Sequence, residues 1–175
     1  AEEGADRVED VLAAHQPGYL LILYGANDVI MRQAPMDIVG HLREIVQAAK
    51  TNQTIPVVAT LTPMTEGLSI FQGGVDAVNT GIVQMCISED VLVVRLDAAF
   101  GDGTGLLKLD HLHPNDAGQQ LIAQTFYDAL NPDPDADPDK AVRRGSISPA
   151  LPGADSGRPA ERRLSGQPLL GAHTQ

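Results

Sequence analysis

The sequence predicts an α/β fold, a parallel sheet covered on both faces by helices. Three observations carry that prediction. Residues 19–24 (YLLILY), 55–61 (IPVVATL) and 91–96 (VLVVRL) are short, nearly unbroken apolar runs, the pattern of strands buried on both faces. The segments around them carry apolar residues at helical spacing. The resulting order, helix–strand–helix–strand–helix–strand–helix, is that of parallel strands joined by right-handed crossovers.

Each element has its own signal. Ala5, Val8, Val11 and Leu12 mark a helix over 4–16, which Pro17-Gly18 stops. The YLLILY strand ends at Gly25-Ala26-Asn27-Asp28. Ile38, Leu42, Ile45, Val46 and Ala49 mark a second helix, and Thr62-Pro63 closes the second strand. Residues 64–71 read as loop. Val75, Val78, Ile82 and Met85 give a third helix before the third strand. A loop through Gly101, Gly103 and Gly105 follows, and Pro114 suits the first turn of a last helix reaching about Leu130 on Leu121, Ile122, Phe126 and Ala129. Three strands make a narrow sheet for this design, the expectation for a chain missing N-terminal strands.

Residues 1–130 therefore form one domain. Beyond it the pattern changes: 131–139 is NPDPDADPD, and 131–175 hold seven of the twelve prolines with almost no apolar periodicity. That composition predicts a linker and a disordered tail. Carboxylates at every second residue suit calcium, but the run lacks the glycine turn and terminal Glu of a calcium loop, and a solvated acidic linker is the better reading.

Composition narrows the function. The 175 residues are 43% hydrophobic but only 3% aromatic, so aliphatic side chains must build the core. The net charge of −11 repels a phosphate backbone, which argues against nucleic acid as partner. A lone cysteine, Cys86, excludes an internal disulfide and a cysteine-rich zinc site. No apolar run approaches the roughly 18 residues of a transmembrane helix. The chain starts at Ala1 in what reads as the entry to a helix, as a truncated protein would.

In an open parallel sheet, functional groups gather beyond the carboxyl ends of the strands. Two polar clusters fall there. Gly25 lets the chain leave the first strand sharply, and Asn27 then offers an amide above the sheet edge, able to donate to a carbonyl oxygen that becomes negative during acyl transfer. Turn chemistry alone also accounts for Gly-x-Asn-Asp. Asp110-His111-Leu112-His113-Pro114 places an acid three residues before a histidine, and a carboxylate on an imidazole Nδ1 sets its tautomer and stabilises its cation. An exposed loop is the bland alternative. A metal set of Asp110, His111, His113 and Asp116 would need ligands from a second segment, and His15, His41 and His173 lie on other elements. Cys86, beside Met85 and Ile87, reads as packing. Ser69 and Ser88 lack a strand-to-helix elbow, and Gly101-x-Gly103-x-Gly105 is no phosphate fingerprint but a loop able to bring Asp110 to the site.

Together and in this order, the clusters resemble the SGNH (GDSL-type) hydrolases. Gly25-Ala26-Asn27-Asp28 is similar to their third conserved block. Asp110-His111-Leu112-His113-Pro114, about eighty residues later, is similar to the fifth, and residues 1–8 resemble the segment after the second. The resemblance spans about residues 1–130. It implies a three-layer α/β/α, flavodoxin-like fold and ester hydrolysis without a cofactor. It further implies Asp110 and His113 as acid and base, Asn27 as oxyanion donor, and Gly25 and Asp28 in support. The family's nucleophilic Ser belongs to a block absent from these residues, on a central strand whose loss would leave YLLILY with an unpaired edge. The expectation is an esterase of Ser-His-Asp type, acting on small-molecule or glycan esters in a secreted or periplasmic setting, and inactive as residues 1–175 alone. A catalytically silent carbohydrate- or ester-binding module and a metal-dependent hydrolase are the alternatives.

Overall fold

The computed structural model describes residues 1–132 and 146–147. Apart from residues 131–132 and 146–147, the tail to which the calcium and disorder readings apply lies outside the described residues. Helix α1 (Glu2–His15) leads to strand β1 (Tyr19–Ile22), the short helix α2 (Ala26–Ile30) and helix α3 (Pro35–Thr51). Strand β2 (Ile55–Ala59), a 3-10 turn (Glu66–Phe71) and helix α4 (Gln72–Glu89) follow. Strand β3 (Leu92–Val94), the short helix α5 (Leu96–Phe100) and helix α6 (Asp116–Leu130) complete the domain. The parallel α/β sheet with covering helices is as the sequence predicts.

The sheet order is β1-β2-β3-β4. β1 and β2 run parallel with Leu21 opposite Val57, and β2 and β3 run parallel with Val58 opposite Val93. Ser146–Ile147 (β4), to which the sequence reading assigns no strand, pairs antiparallel with β3. An extended pair of residues can dock there because an edge strand offers unpaired N–H and C=O groups.

The core has two parts, one per face of the sheet. On one face, Ile38, Leu42, Val46 and Ala49 of α3, all at 0% exposure, meet Val75, Val78 and Ile82 of α4 and Val58 of β2. On the other, Phe126 and Ala129 of α6 pack on Val57, Ala59, Leu92 and Val94. This alternation assigns each buried strand residue to one helix layer or the other, as a period of two requires.

Four expectations need correction. The YLLILY run is not buried on both faces: Tyr19, Leu21 and Leu23 are 46%, 49% and 40% exposed. On that face α6 covers β2 and β3, and no described element covers β1. The edge of β1 away from β2 is also unpaired among the described residues, as the resemblance implies. Strands β2 and β3 stop short of Leu61 and Leu96, because Thr60 turns to bond Asp97 and Leu96 opens α5. Residues 66–71 form a 3-10 turn rather than open loop. Pro114 lies outside α6: Asn115 is the N-cap, its Oδ1 accepting from Gly118 N–H at 3.0 Å, while Pro114 pairs with Leu107 in a backbone bridge.

A core centred on α3 makes Leu42 a sensitive position. Leu42→Ala is expected to cost about 2–5 kcal/mol through lost burial and a residual cavity. Urea denaturation reads this as a lower midpoint at unchanged slope. A loss below about 1 kcal/mol would place the core elsewhere.

Candidate active site

The loop between α5 and α6 folds back on itself around Asn115. The Asn115 amide donates to Gly105 O at 2.9 Å and Leu107 O at 3.3 Å, and its backbone N–H bonds Leu106 O at 2.9 Å. Gly118 admits this approach, since a Cβ there would stand 2.2 Å from Leu106 O. Gly101, Gly103 and Gly105 all take positive φ, consistent with the turning role the sequence assigns them. Lys108 N–H donates to His113 O at 2.8 Å, which closes the loop across Asp110.

Within that frame Asp110 uses both oxygens. Oδ1 accepts from the backbone N–H of His113 at 2.9 Å and of Leu112 at 3.1 Å. Oδ2 meets His113 Nδ1 at 2.8 Å. The His113 backbone bond, the His113 ring bond and the Leu112 bond together hold the Asp110 carboxyl down at about 2. An ionised Asp110 is an acceptor only, so Nδ1 carries the imidazole proton and Nε2 is left as a free acceptor.

His113 lines a cleft of about 500 Å³ at the carboxyl ends of the strands. Gly25, Asn27, Leu61, Thr62 and Leu112 share its wall. The structure thus brings His113 and Asn27, 86 positions apart in the sequence, to one cavity. Gly25 makes the exit from β1 at φ 122°, a value L side chains rarely adopt, and Asn27 follows in the first turn of α2. Asp28 lies on the same cleft but is 8% exposed, and its Oδ1 accepts from the backbone nitrogen of Ala1 at 2.5 Å. It joins α2 to the start of α1.

His111 points elsewhere. It takes φ 59°, its Nε2 lies 3.2 Å from Glu66 Oε2, its Nδ1 lies 3.5 Å from Thr65 Oγ1, and its carbonyl accepts from Thr65 N–H at 3.3 Å. It fastens the loop of Asp110 and His113 to the 3-10 turn. The proposed metal set does not form: among the described residues no three His, Cys, Asp or Glu side chains converge. Cys86 is buried, and burial, slightly offset by Lys50, pushes its thiol up to about 12, so it is no ready nucleophile. Ser69 is exposed on the 3-10 turn, and Ser88 Oγ donates to Met85 O at 2.8 Å. Neither lines the cleft, and none of its described lining residues is a serine.

The sequence reading missed Leu61 and Thr62, although they follow directly from β2 at the carboxyl end of the sheet. It also missed Asn79, which is 6% exposed on α4 and bonds Leu61. An amide within the stripe of Val75, Val78 and Ile82 is the signal that marks it.

A family model adds to this geometry. The GDSL-like lipase/acylhydrolase family matches residues 1–121. The chain belongs to that family. The GDSL-like chain is accordingly of the ester-hydrolase class. No curated protein sequence matches it. Solved structures share its fold. A lipolytic protein of the G-D-S-L family from Veillonella parvula is 15% identical with a TM-score of 0.64, over 73% of each chain. An acetylxylan esterase from Geobacillus stearothermophilus, Axe2, solved as a catalytic mutant with serine replaced by alanine, is 21% identical with a TM-score of 0.62, over 71% of this chain and 64% of Axe2. The esterase EstA from a Pseudoalteromonas species, inhibited by monoethylphosphonate, is 20% identical with a TM-score of 0.60, over 74% and 70%.

The depressed Asp110 value fixes a pH window. A carboxyl lowered from an ordinary value of about 3.9 contributes stability that is fully present above that value and is lost as pH falls through the folded one. The Asp110–His113 contact is expected to persist at pH 4 and to break near pH 2. Carboxyl ¹³C NMR checks this: a midpoint about 2 is the expected result, and one near 4 would mean the contact does not form in solution.

Proposed function

We propose that the catalytically complete GDSL-like protein hydrolyses carboxylic esters by Ser-His-Asp acyl transfer. The observation that carries this is the Asp110–His113 contact of 2.8 Å placed on the same cleft as Asn27. His113 is the general base: its Nε2 takes the serine proton as Oγ bonds the ester carbonyl carbon, then returns it to the leaving alcohol. Water repeats the cycle on the acyl-enzyme, releasing the acid and restoring the serine. Asp110 keeps Nδ1 protonated and stabilises the imidazolium. Asn27 donates to the oxyanion, and Gly25 and Asp28 hold α2 where it can do so.

The nucleophile in this reading is a serine on a further strand, paired with the open edge of β1. The exposed Tyr19, Leu21 and Leu23 support that placement, since a strand and its covering layer would bury them. The names of two relatives support a serine: the Axe2 catalytic mutant replaces one, and a phosphonate such as the EstA inhibitor is an acyl-transfer transition-state mimic. Residues 1–175 alone then lack turnover. The cleft is of small-molecule size, so short acyl esters are the substrate class.

Hydrolysis of p-nitrophenyl acetate by the catalytically complete protein is the test. His113→Ala is expected to lower kcat by about 10²–10⁴-fold. Asn27→Ala is expected to lower it by about 10²–10³-fold with KM little changed. Undiminished hydrolysis by His113→Ala would overturn the assignment.

A further inference from the structure

Asn79 is a buried amide whose polar atoms are both used on one residue. Its Oδ1 accepts from Leu61 N–H at 2.7 Å, and its Nδ2 donates to Leu61 O at 3.0 Å. Leu61 stands just beyond β2, where neither β1 nor β3 continues to pair with it. A side chain on α4 thus replaces the missing strand neighbour. The Leu61 side chain is 1% exposed, and both of its terminal methyls lie 3.6 Å from where a Cβ on Gly25 would stand. Gly25 is the turn that delivers α2, and with it Asn27, to the cleft.

We infer that Asn79 is a positioning residue for Asn27, acting through Leu61 and Gly25. Leu61 is buried, so losing the clamp leaves its peptide groups without these partners and drives that residue to move. Because Leu61 packs under the Gly25 turn, its displacement moves the start of α2. An oxyanion donor must be held within a fraction of an ångström of its working position, so a small shift there is felt in the chemistry. Asn79 touches no reacting atom. Its effect on rate passes wholly through Asn27. The inference rests on the reading of Asn27 as oxyanion donor.

Two variants divide the clamp. Asn79→Asp keeps the acceptor for Leu61 N–H and loses the donor to Leu61 O, while Asn79→Ala loses both. In the 175-residue chain both are expected to shift the side-chain amide NMR signals of Asn27, Asn79→Ala further than Asn79→Asp. Val83→Ala, partly buried on the same helix but outside the clamp, is expected to lower stability and leave those signals in place. If Asn79→Ala does not fold, Asn79→Asp decides alone. Asn27 signals unmoved in the folded Asn79 variants would overturn the inference. In the catalytically complete protein, Asn79→Asp is expected to lower kcat for p-nitrophenyl acetate by about 10- to 100-fold at unchanged KM. The double variant Asn79→Asp with Asn27→Ala should then be no slower than Asn27→Ala alone. Fully multiplicative losses would overturn the inference. An Asn27→Ala variant with intact kcat would instead remove the oxyanion reading, and the amide signals would still judge the positioning.

Discussion

The candidate site depends on one carboxylate. Asp110 lies in the loop between α5 and α6, where a charge usually faces water. Here one oxygen gathers two backbone N–H groups and the other grips the imidazole of His113. The same group therefore shapes the backbone and sets the tautomer. These bonds to the charged form keep Asp110 ionised, and an ionised carboxylate on Nδ1 selects the tautomer of the neutral imidazole that leaves Nε2 free. Both residues are exposed, so geometry rather than burial provides the effect. Asn115 and Gly118 hold the loop closed behind this pair, and the start of α6 is built into the same knot.

The rest of the cleft is assembled from the carboxyl ends of the strands. β1 delivers Asn27 through the Gly25 turn, β2 delivers Leu61 and Thr62, and the segment after β3 delivers His113. The ends of β2 and β3 are then fixed to each other and to their neighbours. Thr60 Oγ1 donates to Asp97 at 2.7 Å, and Asp97 is held by Arg95 through two bonds of 2.8 Å. Burial alone would raise the Asp97 carboxyl, and the Arg95 and Thr60 bonds outweigh it so that it is lowered. Gln72 secures Met64 N–H at 2.8 Å, and His111 secures Thr65. The stretch from Thr60 to Thr65 is consequently a wall clamped from α4, α5 and the loop of Asp110 and His113 rather than a free connection. The contrast is β1, whose far edge and one face meet no described element.

Much of this was legible from residue types alone. The α3 stripe of Ile38, Leu42, Ile45, Val46 and Ala49 is buried throughout, because a strong 3.6-residue period leaves a helix only one way to face a sheet. The order of elements and the two polar clusters were legible for a similar reason: Gly, Asn, Asp and His next to apolar runs are turn and site chemistry at strand ends. Continuous apolar runs were less informative. YLLILY and IPVVATL read alike, yet β2 is covered on both faces and β1 is not, since coverage depends on what packs alongside and not on the run itself. The short helices α2 and α5 and the 3-10 turn were invisible because five or six residues are too few to show a periodicity. Asn79 shows the same limit: its position on α4 was visible, its partner 18 residues earlier was not.

In the mechanism proposed above, Asp110, His113 and Asn27 form one acyl-transfer site completed by a serine beside β1. The most direct measurement is the crystal structure of the catalytically complete protein after reaction with a phosphonate ester. The phosphonyl group is expected on a serine in the strand paired with β1. One phosphonyl oxygen should lie about 2.7–3.1 Å from the Asn27 amide, with His113 Nε2 beside the serine Oγ. A phosphonate on a serine outside this cleft, or one that neither Asn27 nor His113 reaches, would contradict it.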